Sequence, residues 1–172
     1  PFMVLATQNP IEYEGTYTLP EAQLDRFLLH ISIGYPGDED EIRIMRRLDP
    51  QYALDQLSPA LTGQDIINLQ GISEQVHVED SIAQYILDII KATRTHPSIR
   101  LGGSPRASMG LYESSQALAL ISGRNYVTPG DVKTMVKPVI AHRIIAKSHG
   151  GNRVNSVRER EVIMQEILEQ VT

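Results

Sequence analysis

Apolar and polar positions run through this chain in two rhythms. The first 37 residues read in short extended pieces. Phe2 to Ala6 is an unbroken apolar run that stops at Thr7-Gln8-Asn9-Pro10. A run of that length suits a strand covered on both faces, as in a parallel sheet. Ile11 to Tyr17 is a polar loop, and Pro20 to Leu24 opens a short helix with proline near its first position. Phe27 to Tyr35 (FLLHISIGY) is β-rich and ends at Pro36-Gly37.

From Asp38 the spacing turns helical. Asp38, Glu39, Asp40 and Glu41 crowd a first turn, Arg43, Arg46 and Arg47 follow, and Asp49-Pro50 stops the helix. Acid first and base last complements the helix dipole. Thr62 to Gln70 predicts a helix with Gly71 as its stop, and Gln75 to Val78 a short extended piece. Glu79 to Thr95 carries Ile82, Ile86, Ile89 and Ile90 at helical spacing and ends at His96-Pro97. Gly102-Gly103-Ser104-Pro105 is a turn and then a start signal, with serine as cap. The helix it opens, Pro105 to Ser122, takes Met109, Ala117, Leu118, Leu120 and Ile121 as its apolar positions, and Gly123 closes it. Thr128-Pro129-Gly130-Asp131 starts another helix into Val132 to Ile145. Gly150-Gly151 is a hinge or loop, and Ser156 to Val171 is a last helix with Val162, Ile163, Ile167 and Leu168 as its stripe.

The fold class that follows is mostly α with a short α/β portion. Residues 1–37 read as the last strands of an α/β core and residues 38–172 as an all-helical unit. The chain has 172 residues, 41% hydrophobic and 22% charged, enough for one good core or two small ones. A formal charge of -5 argues against a dedicated nucleic-acid binder. The absence of cysteine removes disulfide frameworks and thiolate metal sites and fits a reducing, cytoplasmic setting. No apolar run reaches the roughly 18–20 residues that span a bilayer. The first residues carry neither the basic flank nor the cleavage pattern of a signal peptide. With no initiator Met and a start inside a strand, the chain reads as part of something larger.

Three segments carry candidate chemistry: ATQNP (Ala6 to Pro10), LPEAQLDRF (Leu19 to Phe27) and GGSPRA (Gly102 to Ala107). Asn9 ends an apolar strand, where an amide can point into the crevice at the strands' carboxyl ends and meet a phosphate or a water. On spacing alone Asn9-Pro10 reads more readily as a turn. Arg26 sits between a short helix and a strand, where a guanidinium can stabilise charge on a transferring phosphoryl group. Asp25 beside it can orient it, or the two form a surface pair worth little. Arg106 falls in the first turn of a helix, where the dipole disfavours a cation. It calls for an anionic partner, such as a phosphate, unless it is simply solvated.

In order and spacing these three segments resemble the MoxR family of AAA+ ATPases and, more distantly, the magnesium-chelatase ATPase subunit. The likeness runs nearly end to end and takes in YVTPGDV (Tyr126 to Val132) and Ala141-His142-Arg143. The resemblance implies that residues 1–37 are the C-terminal end of a AAA+ core and residues 38–172 its lid. It implies that Asn9 is sensor 1, Arg26 an arginine finger reaching a neighbouring subunit's ATP, and Arg106 sensor 2. It further implies ATP and Mg2+ in the parent protein and a ring of identical subunits, a hexamer by expectation. The implied action is chaperone-like remodelling of a client protein, a metalloenzyme or VWA-type partner among the candidates. His142-Arg143 would line the lid or an adjacent subunit, or be a plain helix-end pair. Glu12, Glu14 and Glu21 receive no role.

The phosphate-binding half of such a site is not in this stretch. No lysine follows a glycine, so Gly-x-x-x-x-Gly-Lys-Ser/Thr is absent, and no apolar strand runs into Asp-Glu. The stretch alone is therefore expected to hold no nucleotide tightly and to hydrolyse none. His142 and His149 lack supporting acids at ligand spacing, which removes zinc. Two rival classes remain. One is a non-enzymatic helical adaptor built on residues 38–172. The other is a DNA-acting AAA+ relative, disfavoured by the acidic balance and the lack of a basic face.

Overall fold

The structure, a computed structural model, describes residues 2–8, 19–46, 57–147 and 153–171. Among them lie seven helices and one small sheet. The helices are α1 (Glu21–Leu24), α2 (Asp38–Met45), α3 (Gly63–Glu74), α4 (Asp80–Thr95), α5 (Pro105–Ile121), α6 (Pro129–Ile140) and α7 (Arg153–Gln170). The strands β1 (Ile99–Leu101) and β2 (Ile145–Ala146) pair antiparallel, Ile99 opposite Ala146 and Leu101 opposite Ile145. The mostly helical class expected from the periodicity is the class found.

The core lies between α4, α5, α6 and α7. α4 buries Ile82, Ile86, Ile89 and Ile90, the four positions its spacing predicts. α6 contributes Val132, Val136, Val139 and Ile140, and α7 contributes Ile163, Met164 and Ile167. Burying each such aliphatic side chain is worth about 1.5–3 kcal/mol, and these residues form one continuous cluster with Leu111 and Ile144.

α5 packs on a different face from the one its hydropathy suggests. Ala107, Gly110, Leu111, Ser114, Ser115 and Ala119 are buried, whereas Met109 and Ile121 are exposed. Two serines can sit inside because their hydroxyls donate to the Leu111 carbonyl, Ser115 at 2.6 Å and Ser114 at 3.2 Å. Gln116 is buried beside them and donates to the Val76 carbonyl at 2.8 Å. A face built of small and self-satisfied polar residues is invisible to hydropathy. In α7 the stripe is likewise displaced by Met164, and Val162 points to solvent.

Other boundaries move for local reasons. α3 runs through Gly71 to Glu74, because that glycine keeps helical backbone and nothing lies within 4 Å of its missing Cβ. Gly123 does end α5. Its φ of 74° is open to glycine, and the Arg124 amide then reaches the Ala119 carbonyl at 2.9 Å. α6 stops at Ile140, short of the expected Ile145, because residues 145–146 leave to form β2. The expected unit is thus helical with a two-stranded ribbon added.

Residues 2–8 and 27–37, expected as strands, lie in no ladder among the described residues. A strand is defined by a ladder of backbone bonds, and among the described residues 28–36 make only one such bond, from the His30 amide to the Pro138 carbonyl. Most of their apolar side chains, Phe2, Leu5, Ile31 and Ile33 among them, are exposed. Asp49-Pro50 and Gly150-Gly151 lie outside the described residues.

Candidate functional site

The GGSPRA loop is fixed to the end of α4 before it can place anything. The Thr93 hydroxyl accepts from the Gly103 amide at 2.9 Å, and the Arg94 Nε donates to the Gly103 carbonyl at 2.9 Å. A Cβ on Gly102 would stand 2.7 Å from the Arg94 Cα and from the Thr93 carbonyl oxygen. The backbone approach that starts α5 is therefore one only glycine permits. Pro105 takes the first helical position, and Arg106 follows in the first turn.

Ser104 holds the N-cap position but makes no side-chain cap bond. Its hydroxyl instead donates to Asp25 Oδ1 at 3.4 Å. The same carboxylate takes Arg106 Nη1 on Oδ2 at 3.1 Å. Asp25 comes from the turn after α1, where the Arg26 amide donates to the Gln23 carbonyl and the Phe27 amide to the Leu24 carbonyl, both at 3.1 Å. The anionic partner that Arg106 requires is thus supplied from 81 residues away. Arg106 is still 55% exposed and Asp25 24%, so the guanidinium keeps free donors facing solvent.

Beneath this pair lies a buried cation. Arg143 is 7% exposed and donates to three carbonyls: Arg106 at 2.7 Å, Phe27 at 2.8 Å and Leu28 at 3.5 Å. Burial lowers its pKa, and the charge of nearby Asp25 opposes that shift. Gly110 of α5 makes the room, since a Cβ there would stand 3.0 Å from Arg143 Nη1 and 3.3 Å from a Leu28 methyl. His142, also buried, places Nε2 at 3.0 Å from the Phe27 carbonyl. Arg143 Nε also stands 3.4 Å from this nitrogen, but the carbonyl is the closer group and can only accept, which puts the proton on Nε2 and leaves Nδ1 buried with no partner among the described residues. Burial first, then the nearby charge of Arg143, pushes the His142 pKa down to about 4. A further bond runs from the His30 amide to the Pro138 carbonyl at 2.8 Å. Residues 25–30 are therefore tied to α5, α6 and the turn after α6 at every second residue or closer.

These positions answer the expectations one by one. Asn9 lies outside the described residues, as do Glu12 and Glu14. Arg26 is exposed, and no partner holds its guanidinium among the described residues. Asp25 does not orient it, as expected from adjacency, but turns to Arg106 and Ser104, which offer two donors on one side. Arg106 stands at the first turn of α5 as predicted. His142-Arg143 is not a helix-end pair at the surface; both side chains are buried and bridge the two ends of the chain. The signal was available in Val139-Ile-Ala-His-Arg-Ile-Ile-Ala146, where a charged pair interrupts an otherwise apolar run, the mark of a buried and satisfied polar group.

The YVTPGDV segment is structural. Thr128 and Asp131 form a reciprocal capping box at the start of α6. Arg124 holds Asp131 with two bonds of 2.7 and 2.6 Å. That guanidinium, with the Thr128 donors, lowers the Asp131 pKa to about 2. The segment also pairs with the chain before α4, the Val127 amide donating to the His77 carbonyl at 2.9 Å.

Chemically, the solvent-facing donors of Arg106 and the unpartnered Arg26 suit an anion, phosphate above all. No group of three or more His, Cys, Asp or Glu side chains that could hold a metal lies among the described residues. No helix among them is long and apolar enough to cross a membrane.

Comparison with known proteins finds two family matches along the chain. Residues 91–167 fit the family model of the AAA lid domain. Residues 1–29 fit that of the ATPase family associated with various cellular activities (AAA). The chain is 41% identical to the uncharacterized protein YeaC of Bacillus subtilis over 171 residues, 99% of this chain and 52% of that protein. It is 42% identical over 156 residues to Chaperone MoxR1 of Mycobacterium tuberculosis, 84% of this chain and 40% of that one. A crystal structure of a candidate ATPase from Cytophaga hutchinsonii superposes with a TM-score of 0.85 at 33% identity, covering all of this chain and 54% of that one. The chain spans about half the length of the relatives it matches, and it belongs to the MoxR-like AAA+ ATPases.

Proposed function

We propose that the protein of which this chain is part is a ring-forming ATPase that remodels a client protein. In this reading residues 1–37 end its nucleotide-binding core and residues 38–172 form its lid. Asn9 acts as sensor 1, Arg106 contacts the phosphates of its own subunit as sensor 2, and Arg26 reaches the ATP of the next subunit. The observation that carries the reading is the pair of guanidiniums. Arg106 is fixed at a helix start yet keeps half its surface in solvent, and Arg26 has a held backbone and a head with no partner among the described residues. Arg26 has no partner among the described residues and Arg106 has one carboxylate, so each guanidinium is open to a phosphate.

ATP would bring the chemical free energy of the reaction, and this chain's part is to bind and to place charge. Arg106 would hold phosphate oxygens, and Arg26 would stabilise negative charge on the transferring group. The acids described here do not form a magnesium site, so the metal's ligands would lie in the other half of the protein. The names of the relatives, Chaperone MoxR1 in particular, support a chaperone role, and we place the protein's work in the cytoplasm, on a protein client.

Steady-state turnover of the full-length protein tests the reading. Arg26→Ala should cut kcat about 10³-fold or more while ATP binding persists. Arg106→Ala should weaken nucleotide binding in its own subunit. Wild-type turnover in Arg26→Ala would overturn the assignment and favour the adaptor class.

A further inference from the structure

The segment that carries Arg26 is held by the lid. The Asp25 carboxylate binds Ser104 and Arg106 of α5's start. The Phe27 carbonyl accepts from Arg143 at 2.8 Å and from His142 at 3.0 Å. The Leu28 side chain lies against Gly110, and the His30 amide bonds the Pro138 carbonyl. The lid-ward bonds are short and partly buried, and their centre is one side chain. Arg143 spans the Phe27 carbonyl, one residue after Arg26, and the Arg106 carbonyl, the backbone of the other arginine, at 2.8 and 2.7 Å.

We propose that Arg143 is a positioning residue that makes the lid and the Arg26 segment one rigid unit, so that Arg106 and Arg26 of a subunit move together. This rests on the reading of Arg106 as a contact to the subunit's own nucleotide and of Arg26 as a contact to its neighbour's. Its content is how one reaches the other. When phosphate draws Arg106, the shift of α5 passes through the planar fork of Arg143 to Phe27 and displaces Arg26 by a similar amount. Nucleotide state in one site thereby sets the aim of the arginine at the next. The fork geometry matters: a lysine would keep the charge but could not hold two carbonyls in fixed directions. Gly110 belongs to the same device, because a Cβ there would press on the guanidinium at 3.0 Å and force it to shift.

The test uses the full-length protein with spin labels on Gln23→Cys, ahead of the Arg26 turn, and Lys133→Cys on α6, both exposed positions. The interlabel distance is measured by pulsed EPR without nucleotide and with ADP or a non-hydrolysable ATP analogue. The expected result is one narrow distance, the same in every state. Arg143→Lys should broaden that distribution and lower kcat about 10- to 100-fold, the range for a small misplacement of a reacting group, with KM for ATP within about threefold of wild type. A distance that changes with nucleotide in the wild-type protein overturns the proposal. So does an Arg143→Lys variant with a narrow distribution and wild-type kcat. If instead Arg26→Ala retains turnover, the role of Arg26 fails, while the distances still decide whether the segment travels with the lid.

Discussion

Acidification should weaken the joint at His142 before it reaches any other part of the fold. In the folded chain the His142 imidazole has a pKa of about 4, against 6.5 as its ordinary value. Between those values the unfolded chain takes up a proton that the folded chain refuses, so stability falls as pH falls. The contribution is whole above about pH 7 and fully lost below about pH 4. The displacement of about 2.5 pH units corresponds to about 3 kcal/mol, and about 2.5 kcal/mol of that should be gone by about pH 4.5. The cause is geometric. A protonated ring would carry an N–H at Nδ1, where the described residues offer no acceptor, and a second positive charge beside Arg143.

A loss of that size is a large fraction of the about 5–15 kcal/mol by which domains are stable. It can be read from urea unfolding of the 172-residue chain at several pH values. His142→Gln serves as reference, because its amide can still donate to the Phe27 carbonyl but does not titrate. The wild-type curve should fall toward the variant's as pH drops through the window, closing a gap of about 2.5 kcal/mol between about pH 7.5 and 4.5. Nitrogen-detected NMR should find the ring neutral and protonated on Nε2 at about pH 5.5. Parallel stability curves, or a His142 midpoint near 6.5, would refute the argument.

Asp131→Asn should cost about 2 kcal/mol at neutral pH, the free energy of holding a carboxyl at about 2 instead of 3.8. Because that pKa is depressed, the difference from wild type should shrink as pH falls from about 4 towards 2, which acid-range urea titrations would show. Gly102→Ala should destabilise by about 1–3 kcal/mol or more, since its Cβ meets backbone at 2.7 Å. Gly71→Ala, with open space around it inside α3, should stabilise by about 0.5–1 kcal/mol. Thermal melts of the two variants should shift in opposite directions. Asp25→Asn removes the charge that competes with phosphate for Arg106. A half-exposed pair is worth at most about 1 kcal/mol, so ADP should bind the full-length variant about two- to fivefold more tightly by calorimetry; weaker binding would mean that Asp25 presents Arg106 productively.

The elements that could be foreseen are those whose signal is local. The stripe of α4, the capping box at Thr128 and the glycine stop at 123 each depend on residues within a turn or two of one another. What escaped depends on partners far along the chain. β1 has three residues between Pro97 and Gly102, and it exists only because residues 145–146 lie beside it. The buried face of α5 hides behind two serines that bond their own helix. Asp25 was assigned to its chain neighbour because adjacency is all a sequence offers, whereas its true partner is Arg106. Arg143 follows the same rule, as its acceptors are residues 27, 28 and 106.

The charges at this joint argue for an anion independently of any relative. The chain as a whole carries a formal charge of -5, yet the segment 25–28 and the two side chains that grip it hold three arginines and one aspartate. Arg143 cannot shed its proton at any physiological pH, and it is satisfied by carbonyls rather than by a carboxylate. Asp25 can neutralise one guanidinium and is already engaged by Arg106. Among the described residues Glu113 also favours the charge of Arg143, but no carboxylate is bonded to Arg143 or to Arg26. Arg106 disfavours the charge of Arg143, a repulsion that an entering anion relieves. A phosphate chain does so at Arg106 without displacing the buried bonds of Arg143. Arg106 can therefore change partner while the bonds of Arg143 behind it stay intact.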